Sequence, residues 1–196
     1  MPAATSGRAA LLLPGGKGTT DVPLLTYARV AIQRRGGRVH TVAWALPGRI
    51  RREDEAGLRF SAETSAWVAS QVEFAIEETA TATGVTAPIL VGKSLGTLAA
   101  AVAADRGLPA VWFTPLLSDP PTVGALSRAT APVLLAGGTA DPYWDAAAAR
   151  SVTPHVVEVT GADHSLLVPG ELAASAAVLG QVMAAVEEFL DQCVWP

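Results

Sequence analysis

Six short apolar runs, each of strand length and each followed by a longer stretch with helical composition, constrain this chain more than any other feature. They are Ala9 to Leu13, Arg38 to Trp44, Pro88 to Gly92, Ala110 to Thr114, Pro132 to Gly137 and His155 to Thr160. Helical stretches rich in Ala, Leu, Glu and Gln lie at about 22–35, 61–83, 95–106, 122–129, 143–152 and 171–194. Regular alternation of this kind predicts a parallel sheet with helices on both faces, because strands nearly continuous in Val, Ile and Leu are buried on both sides. The expectation is a three-layer α/β/α sandwich around a six-stranded, mostly parallel sheet. At 196 residues, half of them apolar and 16% charged, the chain fits one domain spanning 1–196, with about 1–7 as a flexible tail. The charged stretch within 45–60 reads as a solvated loop.

Charge and cysteine content narrow the function classes. The formal net charge is −4, and the Lys and Arg clusters fall in or beside expected loops, so nucleic acid and anionic membranes are poor partners. A single cysteine, Cys193, allows no internal disulfide and fits a reducing, cytoplasmic setting. The N-terminal leucine run is too short for a secretion signal or a membrane span.

The stretch Ile89-Leu-Val-Gly-Lys-Ser-Leu-Gly-Thr97 admits two readings. As a phosphate loop ending in Gly92-Lys93-Ser94, its loop positions would be Pro88, Ile89, Leu90 and Val91. Those residues form the body of a strand and lack the glycines that bring backbone N–H groups close to phosphate. As Gly92-Lys93-Ser94-Leu95-Gly96 it is a nucleophile elbow. In that turn a strand passes sharply into a helix, and small residues two before and two after the serine avoid clashes. Candidate partners lie just past two later strands: Asp141 after Pro132–Gly137, and His164 after His155–Thr160. In an open parallel sheet all three would meet at the carboxyl ends of the strands.

With Ser94, Asp141 and His164 in this order, the chain resembles the α/β-hydrolase family from about Ala9 to Leu190. The resemblance implies a serine hydrolase without cofactor or metal, acting on an ester or thioester of a small acyl substrate. His164 would act as general base, and Asp141 would hold the imidazole. By alignment on the loop after the first strand, the oxyanion donors would be the N–H groups of Gly16 and Leu95, although Pro14 stands where the family often has histidine. The short interval Pro115 to Ala131 leaves no room for a lid, which implies an open, shallow site. The family's antiparallel opening strands are also missing. Such a form is similar to carboxylesterase-like and dienelactone-hydrolase-like members, the latter usually carrying cysteine where this chain has Ser94.

Other readings stand beside these. Asp141 with Pro142 next to it also suits a helix N-cap, and Asp145 is a second candidate acid. His40 and His155 lie in strands and read as structural, and Asp163 as a loop-stabilising residue. Lys93 and Lys17 either pair with a carboxylate or favour anionic substrates, or are merely solvated. Trp44, Tyr143 and Trp144 either line an acyl pocket or belong to the core, whereas Trp67 and Trp112 read as packing. An inactive hydrolase fold used for interaction, and an acyltransferase using the same triad, are the alternative functions.

Overall fold

The computed structural model describes residues 7–47 and 60–196; the expected tail before Gly7 and residues 48–59 of the expected 45–60 loop lie outside them. Strands β1 (Ala9–Leu13), β2 (Arg38–Thr41), β3 (Ile89–Lys93), β4 (Ala110–Phe113), β5 (Val133–Gly138) and β6 (His155–Val159) form one sheet in the order β2-β1-β3-β4-β5-β6. Every pairing is parallel. The sheet is thus wholly rather than mostly parallel among the described residues. Its helices are α1 (Pro23–Arg34), α2 (Ala62–Thr83), α3 (Ala100–Arg106), α4 (Pro120–Ser127), α5 (Ala146–Val152) and α6 (Leu172–Phe189).

Side chains of the central strands alternate between two cores, as the two-residue period of a strand requires. Leu11, Leu13, Leu90, Trp112 and Leu135 pack with Val68, Val72 and Ile76 of α2 and with Val102, Ala125 and Ala149 of the shorter helices. Leu12, Val91, Val111, Phe113 and Leu134 face Leu25 and Ile32 of α1 and Val182, Val186 and Phe189 of α6. Three layers result. The edge strands β2 and β6 are less covered than the four between them.

Helix boundaries obey local chemistry. Ser61 caps α2 by accepting from the Thr64 N–H at 3.1 Å, and Gly84 ends it in the left-handed region (φ 76°). Asp119 caps α4 with Pro120 in its first turn, so this helix begins two residues before the expected 122. Asp145 caps α5 by accepting from the N–H groups of Ala147 and Ala148, each at 2.9 Å. Residues 141–144 therefore belong to a turn rather than to the expected helix from 143.

The C-terminal segment Leu172–Val194 is, among the described residues, the one helix long and apolar enough to cross a membrane by length and composition. Its Val182, Met183, Val186, Phe189 and Leu190 are buried against α1 and the sheet. Beyond Phe189 a π-helical turn, Leu190–Val194, brings Asp191 to Arg35 at the end of α1, whose guanidinium donates to both carboxylate oxygens at 2.6 and 2.7 Å.

Glycines at the end of β5 admit neighbouring groups very closely. A Cβ on Gly137 would lie 2.0 Å from the Trp144 ring, and one on Gly138 would lie 2.1 Å from the Ala162 carbonyl oxygen. Overpacking of this kind typically costs about 1–3 kcal/mol. Gly137→Ala should therefore lower the midpoint of urea unfolding by a corresponding amount, whereas Gly124→Ala, where the added methyl meets nothing within 4 Å, should not.

Candidate active site

The sheet reverses its strand order at β1. From there the chain moves outward to β2 and then back to β3 on the other side. Loops leaving β1 and β3 consequently diverge and leave a crevice at their carboxyl ends, the usual ligand position in an open parallel sheet. Gly15 and Gly16 come after β1 on one side of this crevice, and Ser94 comes after β3 on the other.

Ser94 sits at φ 51°, a left-handed conformation unusual for a residue with a side chain. Two glycines permit it. A Cβ on Gly92 would approach Trp112 Cζ3 to 2.6 Å, and one on Gly96 would approach the Leu13 carbonyl oxygen to 2.9 Å. The turn is packed between a core indole and the backbone of β1. A 3₁₀ helix, Ser94–Ala99, leads from this turn into α3. The Thr97 hydroxyl donates to the Ser94 carbonyl at 2.7 Å, a three-residue spacing that suits the tighter helix and replaces the expected α-helix from Leu95.

Three side chains form a hydrogen-bonded chain across the rim. Ser94 Oγ lies 2.8 Å from His164 Nε2, and His164 Nδ1 lies 2.7 Å from Asp141 Oδ2. The Asp141 carboxylate is fully buried, whereas the imidazole remains about a third exposed. Asp141 Oδ1 accepts from the Tyr143 N–H at 2.9 Å and the Asp141 carbonyl from the Trp144 N–H at 3.0 Å. It holds a local turn with one oxygen and faces the imidazole with the other, so the alternative reading of Asp141 as a helix N-cap does not apply. That role belongs to Asp145, which points at α5 and not at His164.

The histidine loop closes on itself through Asp163. Its Oδ1 accepts from the N–H groups of Ser165 and Leu167 at 2.7 and 3.0 Å, and its own N–H donates to the Leu167 carbonyl at 2.9 Å. Among the other histidines, His155 packs edge-on against Phe189 and His40 lies near Glu78.

A cleft of about 690 Å³ opens over Ser94. Gly15, Gly16, Leu95 and Lys17 line one part of it, and Val22, Leu46, Phe60 and Tyr143 provide apolar wall. The Tyr143 ring lies 5.0 Å from the imidazole and 6.3 Å from Phe60. Leu95 occupies the first turn of the 3₁₀ helix, where N–H groups lack intrahelical acceptors, and Gly16 lines the same rim from the loop after β1.

Two of the expected pocket aromatics are elsewhere. Trp44 is buried on the α2 side of the sheet, edge-on to Trp67 at 5.8 Å, with its indole N–H donating to the Gly15 carbonyl at 3.2 Å. It braces the loop after β1 from behind, with Gly18 (φ 76°) packed against its carbonyl. Trp144 lies against Gly137 and donates its indole N–H to Glu158 at 2.8 Å, which holds that carboxyl below its usual range. Phe60, Leu46 and Val22 are not singled out by the sequence. They lie in connections, where no periodicity marks them as cleft wall.

Among the described residues no three His, Cys, Asp or Glu side chains converge as a metal site. Lys93 lines the cleft, and its ammonium donates to the His164 carbonyl at 2.9 Å and to Thr114 Oγ1 at 3.2 Å. Burial holds its pKa below the ordinary lysine value, with the attraction of Asp141 and Asp163 opposing and Lys17 adding to the depression.

No family model and no curated protein matches the sequence. Solved structures do resemble it. An α/β serine hydrolase homologue from Coxiella burnetii superposes with a TM-score of 0.70 at 15% identity, over 96% of this chain and 88% of the other. An α/β serine hydrolase without a lid from Xanthomonas campestris gives 0.67 at 17% identity, over 98% and 85%. The chain has the α/β-hydrolase fold. A dienelactone hydrolase from Anabaena variabilis shares this α/β-hydrolase architecture, with a TM-score of 0.67 at 20% identity over 98% and 88%. In the interval where larger α/β-hydrolase folds insert a lid, 115–131, this chain has only a turn and the eight-residue α4.

The depressed pKa of Lys93 makes stability depend on pH. Its folded pKa lies below its unfolded one, so between the two values the unfolded chain binds more protons and stability rises with pH. Below the folded value the full penalty is present, and above about pH 10.4, where a free lysine titrates, it is gone. The stability of Lys93→Met relative to the wild type should therefore fall as pH is raised from about 7 towards about 10, as read from urea unfolding at both ends.

Proposed function

We propose that the protein is a serine hydrolase of the carboxylic ester type, acting on an ester or thioester of a small acyl substrate through Ser94, His164 and Asp141. The observation that carries this reading is the unbroken chain of short contacts from the Ser94 hydroxyl through the imidazole to a buried carboxylate. A hydroxyl is a weak nucleophile by itself, and an adjacent base oriented by a third group is what activates it.

In the proposed reaction, Ser94 Oγ forms a bond to the acyl carbon while its proton passes to His164 Nε2. The electron pair of the carbonyl moves onto oxygen, giving a tetrahedral oxyanion held by the N–H groups of Leu95 and Gly16. When the carbon–oxygen or carbon–sulfur bond to the leaving group breaks, His164 returns the proton to it and an acyl-enzyme remains. Water then attacks the acyl carbon with His164 again as base, and the acid is released. Asp141 keeps the Nδ1 proton in place and stabilises the imidazolium. Another acceptor in place of water would make the same site an acyltransferase. Single-cysteine composition suits such an enzyme to the cytoplasm.

The cleft supports a small substrate. Its volume is that of an ordinary small-molecule site, and Val22, Leu46, Phe60 and Tyr143 offer apolar and aromatic contact. Short p-nitrophenyl esters should be hydrolysed faster than long ones, and a marked preference for long acyl chains would contradict the assignment.

A fluorophosphonate probe tests the nucleophile directly. The wild type should label, and Ser94→Ala should not. Absence of labelling in the wild type, where a control esterase reacts, would indicate an inactive fold used for interaction. Asp141→Asn should lower kcat by as much as about 10⁴, the loss expected when the imidazole tautomer is no longer held. Asp145→Asn should leave kcat unchanged while weakening α5 by at most about 1 kcal/mol.

A further inference from the structure

A lysine beside the nucleophile would ordinarily be read as a solvated cation or a contact for anionic substrates. Its surroundings argue otherwise. Among the described residues the Lys93 ammonium makes no ion pair, and both oxygens to which it donates are neutral: the main-chain carbonyl of His164 and the hydroxyl of Thr114.

The distances that this contact spans give it a purpose. Strand β6, which launches the histidine loop, is three strands from β3, or roughly 14 Å at the usual spacing of about 4.8 Å. The loop has to reach back across the ends of β5 and β4 to bring the imidazole to Ser94. Its internal bonds, centred on Asp163, fix its shape but not its position relative to β3. Towards β5 and α6 the loop is tied by the Ala140 N–H donating to the Ala162 carbonyl at 3.0 Å, by the Gly161 N–H donating to Thr139 Oγ1 at 2.8 Å, by the Val168 N–H donating to Ser175 Oγ at 3.1 Å and by the burial of Ala162 and Leu166; towards β3 it is tied by the imidazole's contact with Ser94 and by Lys93. Among these, Lys93 is the group that ties the strand carrying the nucleophile to the backbone carrying the base. Thr114, at the end of β4 midway along this rim, is fully buried and sits at φ 42°, again a left-handed conformation for a residue with a side chain. It presents the second acceptor.

We infer that Lys93 is a positioning residue, a strut from the nucleophile's strand to the His164 main chain that sets the separation between hydroxyl and imidazole. This role rests on the catalytic reading proposed for the site. The ammonium donates to the His164 carbonyl and Thr114 Oγ1 and not to Ser94 Oγ or the imidazole nitrogens, and its charge holds the histidine loop in place.

Three measurements on Lys93→Met separate a strut from a general contribution to folding. The rate of Ser94 labelling by a fluorophosphonate should fall at least about tenfold, as expected when two reacting groups lose a fixed geometry. The low-field proton resonance expected in the wild type from the His164 Nδ1–H shared with Asp141 at 2.7 Å should broaden or vanish. The unfolding midpoint at about pH 7 should not fall, since a partly buried ammonium is removed along with its bonds. In a Cys193→Ser background, Lys93→Cys alkylated with 2-bromoethylamine carries an ammonium one sulfur-for-methylene exchange from lysine and should regain both the labelling rate and the resonance. Where Lys93→Met does not fold, Lys93→Gln serves for the same comparison.

Labelling within about twofold of wild type, against the tenfold loss expected from a disturbed geometry, with the resonance intact would overturn the proposal. So would a loss of rate that tracks the unfolding midpoint and is not restored by alkylation. If the wild type does not label at all but its low-field resonance is lost in Lys93→Met, the strut stands and the acyl-enzyme reading falls.

Discussion

The close approach of the turn after β3 to the backbone of β1 is the constraint on which the site depends. Gly96 lies against the Leu13 carbonyl, and Gly92 lies against Trp112, leaving no space for a Cβ at either position. Ser94 adopts its left-handed conformation because the packing around it determines the backbone, and a strained conformation of this kind persists only where its surroundings over-determine it. The same approach brings Gly15 near enough to Ser94 that a Cβ added at Gly15 would lie 3.4 Å from the Ser94 Cβ, and Gly16 lines the same cleft. One packing contact therefore fixes both the direction of the hydroxyl and the wall where an oxyanion would sit.

The other half of the site is attached differently. Asp141 and His164 lie beyond β5 and β6, and their loops are positioned by glycines that admit neighbours at distances no other residue would allow. Gly138 lets the turn after β5 lie against Ala162, and Gly137 seats Trp144, whose indole reaches Glu158 on β6. The carboxylate and the imidazole thus share a scaffold distinct from that of the hydroxyl. Beyond the sheet and the core that the halves share, the Ser94 turn is hydrogen-bonded to the histidine loop through the imidazole and the Lys93 ammonium.

Much of this is legible in the sequence. The six strands and their parallel pairing emerge from alternation of apolar runs with helical segments, because a strand's period and burial are local consequences of residue type. Ser94, Asp141 and His164 stand out because each comes after a strand in a particular order, and the structure brings their side chains together. Directions are what the sequence does not carry. Trp44 and Trp144 stand near strand ends, as a cleft residue would, but face a loop carbonyl and a glycine because those contacts are long-range. Val22, Leu46 and Phe60 come from connections and have no periodic signal. Lys93 is visible as a neighbour of the serine, but the destination of its ammonium, 71 residues further along the chain, does not emerge from spacing. Asp141 and Asp145 are told apart only by their surroundings, one facing the imidazole and the other a helix terminus.

The order of the strands in the sheet has a consequence for how the protein acquires its chemistry. The hydroxyl and the imidazole are 70 residues apart in the chain, and the carboxylate lies 23 before the imidazole. The groups are brought together only when β3, β4, β5 and β6 have paired side by side. Parallel pairings of this kind are non-local and form slowly. A nascent or partly denatured chain that retained β1, β3 and β4 but not β5 and β6 would still possess the strained serine turn, with no imidazole beside it. Under the proposed hydrolase reading, turnover would then report completion of the far edge of the sheet, a later event than the collapse of its centre.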